Sequence, residues 1–174
     1  KGIMNNIILI GMPGAGKSTI GVILAKVLGF QFIDTDLIIQ ERENRLLKDI
    51  ILKEGIEGFT AIEDRINKSI VADRAVISPG GSVVYCKDAM EHYREIGIVI
   101  YINLSFETIQ NRLRDIKRRG VVLREGQSLE DLYKERCPLY EQYAHITIDA
   151  ENMDIEAVME TIKDKYEEYT RRDC

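Results

Sequence analysis

Gly11-Met12-Pro13-Gly14-Ala15-Gly16-Lys17-Ser18 decides the fold, because it fits the G-x-x-x-x-G-K-[ST] phosphate-binding pattern and lies between an apolar run and a helical repeat. With Gly at about 7% of average usage, a chance match to the four fixed positions is on the order of one in a hundred or rarer for a chain of 174 residues. Upstream, Ile7-Ile8-Leu9-Ile10 is a short β-branched run suited to a buried parallel strand. Downstream, Ile20, Ile23, Leu24, Val27 and Leu28 recur at helical spacing, and Gly29 stands where a helix needs a C-terminal stop. The order is strand, glycine loop, helix.

That order has a physical purpose. Glycines let the loop curl with its N–H groups pointing inward, and the helix that follows adds the positive end of its dipole, so a polyphosphate is held mostly by main chain. Lys17 adds a mobile point charge for the β- and γ-phosphates, and Ser18 offers a hydroxyl to Mg²⁺, which prefers phosphate and carboxylate oxygens. The competing reading is a glycine-rich turn with an incidental Lys-Ser.

Working outward, Gln31-Phe32-Ile33 reads as a second strand running into Asp34-Thr35-Asp36. Helical spacing resumes in 37–42, in 46–53, and at Phe59, Ile62, Ile66 and Ile70, with Gly55 and Gly58 breaking the series. Ala75-Val76-Ile77 is a third strand, closed by Ser78-Pro79-Gly80-Gly81-Ser82, and a helix is expected over 87–96. Ile98 to Ile102 forms the clearest apolar strand; Ser105 then caps the helix that carries Arg112. Residues 118–127 hold two glycines and little periodicity and read as a mobile loop. Ser128 opens a helix expected to stop near Pro138, His145 to Ile148 is a fifth strand, and an amphipathic helix follows around 155–166. Strands alternating with helices imply an α/β domain with a mainly parallel sheet covered on both faces. Ligands of such sheets bind beyond the carboxyl ends of the strands, where the glycine loop, Asp34 and Asp36, the Gly80-Gly81 turn and a basic segment all fall.

Asp34 and Asp36 suit transfer of a γ-phosphoryl group to an alcohol: one carboxylate serves the metal, the other orients the acceptor hydroxyl and takes its proton. The plainer alternative is that Asp36 caps the following helix. The Gly80-Gly81 turn allows close approach to a ligand or simply bends the chain. Arg136 has the planar fork that clamps a carboxylate, or is a solvated helix arginine. Arg112 and Arg119 either contact a nucleotide or belong to a charged face, and His92 and His145 lack partners at useful spacing and read as structural.

Composition narrows the function classes. Hydrophobic content of 45% and charged content of 30% are ordinary for a globular protein, and no apolar run approaches the ~20 residues needed to span a bilayer. A net charge of −5 argues against a nucleic-acid scaffold, while the basic island Arg112, Arg114, Lys117, Arg118, Arg119 and Arg124 suits a small polyanion. Cys86, Cys137 and Cys174 are widely spaced and read as plain thiols. Lys1-Gly2-Ile3 ahead of Met4 reads as an added remnant with no signal-peptide character, so a cytoplasmic, monomeric protein with no membrane or nucleic-acid partner is expected.

The motifs G-x-x-G-x-G-K-S-T-x-G, Phe32-Ile33-Asp34-Thr35-Asp36, Gly80-Gly81, Asn111-Arg112-Leu113 and Glu135-Arg136-x-Pro138-Leu139-Tyr140 follow the order and spacing of shikimate kinases, and the chain resembles that family over nearly its whole length. The resemblance implies one P-loop kinase domain over 1–174, like the nucleoside-monophosphate kinases. It would have a five-stranded parallel sheet, substrate-binding helices over about 36–73 and a lid over about 112–127. It implies ATP and Mg²⁺ as cofactors and phosphorylation of the 3-hydroxyl of shikimate, a step toward aromatic amino acids. By motif, Gly14, Ala15, Gly16, Lys17, Ser18 and Thr19 would hold the nucleotide, with Arg112 against adenine and Arg119 reaching the phosphates from the lid. Lys17, Asp36 and Arg119 would be catalytic, Ser18 and Asp34 would serve the metal, and Asp36, Thr60, Gly80, Gly81, Ser82 and Arg136 would line the acceptor pocket.

Three departures stand out. Thr60 replaces the family's carboxylate-binding arginine, Ser82 replaces the third glycine of a G-G-G turn, and Gly120 replaces the lid proline. Loss of one of two arginine contacts to a buried carboxylate costs ~1.5–3 kcal/mol, about ten- to a hundredfold in affinity. Shikimate is therefore the first acceptor expected. Another small hydroxylated metabolite, suited to the hydroxyls of Thr60 and Ser82, is the alternative; a nucleotide-dependent binding or regulatory module is a third reading. Retention of Lys17, Ser18, Asp34 and Asp36 argues against that last class, and the lack of an N-K-x-D motif argues against a GTP switch.

Overall fold

A computed structural model describes residues 5–114 and 123–172. Five parallel strands, β1 (Asn6–Ile10), β2 (Gln31–Asp34), β3 (Ala75–Ser78), β4 (Gly97–Asn103) and β5 (Ile146–Asp149), lie in the order β2-β3-β1-β4-β5. Every residue of β1 and β3 and all but the last of β4 are buried, which requires cover on both faces and explains their unbroken apolar runs. Among the described residues there are seven α-helices, α1 (Lys17–Leu28), α2 (Thr35–Glu43), α3 (Leu47–Lys68), α4 (Lys87–Ile96), α5 (Phe106–Arg114), α6 (Leu129–Tyr143) and α7 (Ile155–Arg172), of which α1, α4, α6 and α7 supply most of that cover. α1 packs on β3 and against α7, whereas α4 and α6 pack on β4.

At the amino ends of the strands, the buried Asn6 side chain ties three segments together. Its Nδ2 donates to Ala72 O at 2.8 Å and Ile96 O at 2.9 Å, and its Oδ1 accepts from Ala75 N at 3.0 Å. Gly97 sits opposite Asn6 in the ladder, where a Cβ would lie 2.4 Å from Asn6 O. Besides the main core, a satellite cluster of Ile39, Ile50, Phe59 and Ile66 joins α2 to α3. That cluster anchors the helices beside the carboxyl edge of β2.

Three expected boundaries are corrected. Of the two glycines expected to break α3, Gly55 does so, leaving the helix at φ 73° and ψ 179° where two helical runs meet at a kink, whereas Gly58 stays within the second run. α6 does not stop at Pro138 but continues to Tyr143, held by buried Leu132, Arg136 and Tyr140 on either side of the ring. The last helix extends to Arg172. Ser105 does cap α5, its Oγ accepting from Thr108 N at 3.2 Å. Of the segment read as a loop or lid, 112–114 end α5 and 123–127 form a turn before the Ser128 capping box; 115–122, including Arg119, lie outside the described residues.

Candidate active site

The glycine loop opens at the carboxyl end of β1, and Gly14 and Gly16 take φ of 83° and 88°, a region that side-chain-bearing residues rarely adopt. The loop thereby turns into α1 with Gly16 as its N-cap. Lys17 is buried, and its Nζ donates to Gly11 O and Met12 O, both at 2.8 Å, which holds the ammonium across the loop. Ser18 stands exposed in the first turn of α1. Arg112 reaches the loop from α5, with Nη1 donating to Gly14 O at 3.2 Å. Ala15 is packed into the core, and Thr19 is exposed on α1.

β2 delivers its two aspartates to the same edge, and the structure divides their work. Asp34, not Asp36, is the N-cap of α2: its Oδ1 accepts from Asp36 N at 3.0 Å and from Leu37 N at 3.4 Å. Asp36 projects from the first turn of α2 instead. Its pKa is pushed up to about 6, by burial first and then by the Asp34 charge, against the pull of Lys17. Such a carboxyl is half protonated at about pH 6 and mostly ionised at neutrality, the state a general base needs.

The turn after β3 brings further groups to these acids. A Cβ on Gly80 would lie 2.9 Å from Asp36 Oδ1 and 3.2 Å from Glu63 Oε2; one on Gly81 would lie 3.0 Å from Pro13 Cδ and 3.1 Å from Arg136 Nη1. The two glycines are therefore required by close approach to the protein's own carboxyl, proline and guanidinium groups. Glu63 was not singled out from the sequence. It is fully buried on α3; Ser82 Oγ lies 2.8 and 2.9 Å from its two oxygens and donates to the pair, and Cys86 Sγ lies 3.7 Å from Oε1. Burial, and secondarily the Asp36 charge, pushes its pKa up to about 8 against the Ser82 hydrogen bond and the Arg136 charge. The available signal was its spacing, four residues after Phe59 and three before Ile66, on the apolar face of the repeat.

Arg136, on α6, is only 2% exposed; its guanidinium lies 5.4 Å from the Tyr85 ring centroid, and its Nε has no hydrogen-bond partner among the described residues. It lines two adjoining cavities. The first, about 660 Å³, holds Gly14, Gly16, Lys17, Ser18, Asp34, Asp36, Gln40, Lys48, Phe59, Gly80, Gly81 and Ser82. The second, about 490 Å³, shares Phe59, Ser82 and Arg136 and adds Thr60, Tyr85, Lys87, Arg124, Gln127 and Glu135. Both expected acceptor-binding hydroxyls are engaged within the protein, that of Ser82 with Glu63 and that of Thr60 with Ile56 O at 2.8 Å. The histidines bond to main chain, His92 Nε2 to Ile70 O at 2.7 Å and His145 Nδ1 to Val99 N at 2.9 Å.

A parallel sheet with a glycine loop cradling Lys17, and paired aspartates two strands over, defines a P-loop phosphotransferase. Comparison with known proteins narrows the class. The family profile described as "SKI: Shikimate kinase" matches residues 13–167. Shikimate kinase of Haemophilus influenzae is 40% identical over 163 residues, covering 91% of each chain. That of Thermodesulfovibrio yellowstonii is 35% identical over 167 residues, covering 94% of this chain and 96% of the relative. Among solved structures, shikimate kinase from Acinetobacter baumannii in complex with shikimate superposes with a TM-score of 0.83 at 32% identity, covering 93% of this chain and 92% of that one. The chain belongs to the shikimate kinase family, phosphotransferases that act on a hydroxyl group. Among the described residues, no helix is long and apolar enough to cross a membrane.

Proposed function

We propose that this enzyme transfers the γ-phosphoryl group of ATP to the 3-hydroxyl of shikimate. The observation that carries the reading is the meeting, in one cavity, of the loop lysine, a carboxyl poised near neutrality and a buried arginine with an unpartnered Nε. Each matches one demand of the reaction. The loop amides and Lys17 would hold the polyphosphate, Asp36 would accept the proton of the attacking hydroxyl, and Arg136 would hold the acceptor's carboxylate. The acceptor oxygen forms a bond to the γ-phosphorus as the bond to the β-bridging oxygen breaks, so ADP departs and the proton ends on Asp36. Arg119, by family resemblance, would add charge at the transferred group.

The donor set suits Mg²⁺: Ser18 Oγ, a carboxylate from Asp34 and phosphate oxygens are hard ligands, and Ser18 and Asp34 line the same cavity. When bound, the ion would neutralise charge on the phosphates. Asp34 spends only Oδ1 on its cap, so Oδ2 remains to serve it.

Measuring ADP release with shikimate and a panel of other hydroxy acids and polyols tests the proposal. Release that depends on shikimate and Mg²⁺ is expected. Turnover with a different compound and none with shikimate would replace the acceptor; failure to bind ATP would remove the reaction altogether. Monomeric, cytoplasmic operation completes the proposal and is checked by light scattering and cell fractionation.

A further inference from the structure

Thr60 stands where the family's carboxylate-binding arginine would be, and a cavity of about 490 Å³ opens beside it. Three cations line that cavity: Lys87, Arg124 and Arg136. Lys87 is paired with Glu91 at 3.8 Å, whereas among the described residues neither arginine forms an ion pair. Of the acids on the wall, Glu57 is exposed to solvent and the other two are already in use. Asp64 Oδ1 accepts from Ala89 N at 2.9 Å, and Glu135 accepts from Tyr85 Oη at 2.6 Å and Gln127 Nε2 at 3.1 Å.

The two arginines belong to one network. Arg124 N donates to Gln127 Oε1 at 3.2 Å and Gln127 N to Arg124 O at 2.9 Å; Gln127 then holds Glu135, Glu135 holds Tyr85, and the Tyr85 ring lies under the Arg136 guanidinium. A turn otherwise exposed is thereby latched to α6 beside Arg136. Lys48, which also forms no ion pair among the described residues, lines instead the cavity of Asp36 and Gln40, where Thr60 is absent.

We infer that Arg124 is the second cation of the acceptor-carboxylate clamp, acting with Arg136 across the space that a threonine at position 60 leaves open. The inference rests on the proposed phosphorylation of shikimate and names how specificity for an anionic acceptor survives the loss of the family arginine. Two guanidinium groups lining one cavity recognise a carboxylate by charge-assisted hydrogen bonds, and removal of one leaves the other as a weaker anchor.

Steady-state kinetics of the whole enzyme and its Arg124→Gln variant, with shikimate and with its uncharged carboxamide, provide the test. Expected is a ten- to hundredfold rise in KM for shikimate, with kcat within about threefold and the KM for ATP unchanged. The preference for shikimate over the carboxamide, as a ratio of kcat/KM values, falls by the same factor. Thr60→Arg introduced into Arg124→Gln restores the KM. An unchanged KM for shikimate in Arg124→Gln, an equal loss with the carboxamide, or a rise in KM from Lys48→Gln but not from Arg124→Gln overturns the inference alone. If the unaltered enzyme does not phosphorylate shikimate, the functional proposal falls and this inference with it.

Discussion

At Glu63 a carboxyl group sits wholly out of solvent with a hydroxyl and a thiol beside it and a guanidinium across the cavity. Because its pKa in the fold, about 8, lies above the ordinary 4.5, the folded protein binds more protons than the unfolded chain in that interval. The Glu63 contribution to stability is therefore full below about pH 4.5 and is lost as pH rises to about 8. Glu63→Gln removes this dependence, so the drop in urea midpoint between about pH 5 and about pH 8 should be smaller in the variant than in the parent. Asp36 makes a kinetic prediction. As the base it must be ionised, so kcat/KM should fall as pH drops below about 6, and Asp36→Asn should lower kcat by about 10²- to 10⁴-fold, both read from pH-rate profiles. The aspartates were legible because they stand two residues apart at a strand end. Glu63 was not, since its meaning depends on Ser82 and Arg136, which reach it only through the tertiary fold.

Among the elements, α3 shows how two glycines divide one bend. Gly55 takes a backbone conformation open to little but glycine, and the kink brings Glu54 so near that a Cβ on Gly58 would lie 2.6 Å from Glu54 Cβ. One glycine turns the chain and the other makes room for the turn. Gly55→Ala should cost about 1–3 kcal/mol in urea unfolding and weaken acceptor binding, because Phe59, Thr60 and Glu63 all follow the bend. Sequence periodicity identifies α3 but treats both glycines as breaks, since spacing alone does not distinguish a residue that leaves the helix from one that fits inside it. Pro138 misleads in the same way. Its missing N–H costs one bond of α6, and the buried residues on its flanks outweigh that loss.

Over the whole molecule the strand order separates stability from chemistry. The carboxyl ends of β1, β2 and β3 carry the loop, the acids and the glycine turn, while Asn6 staples the opposite ends. Asn6→Ala would leave one N–H and two carbonyls unpaired in the interior, and should cost about 2–4 kcal/mol in urea unfolding with little change in KM for either substrate. The parallel α/β architecture was readable because alternating strands and helices leave few alternatives. The staple was not, for an asparagine at the start of an apolar run looks like any strand end. Among the described residues, Phe59, Ser82 and Arg136 are common to the two cavities, and Thr60 lines the second. An inhibitor with a ring against Asp36 and a short arm passing Phe59 would find room here that a bulkier residue at position 60 would fill, so its selectivity over relatives with arginine there would turn on a single side chain.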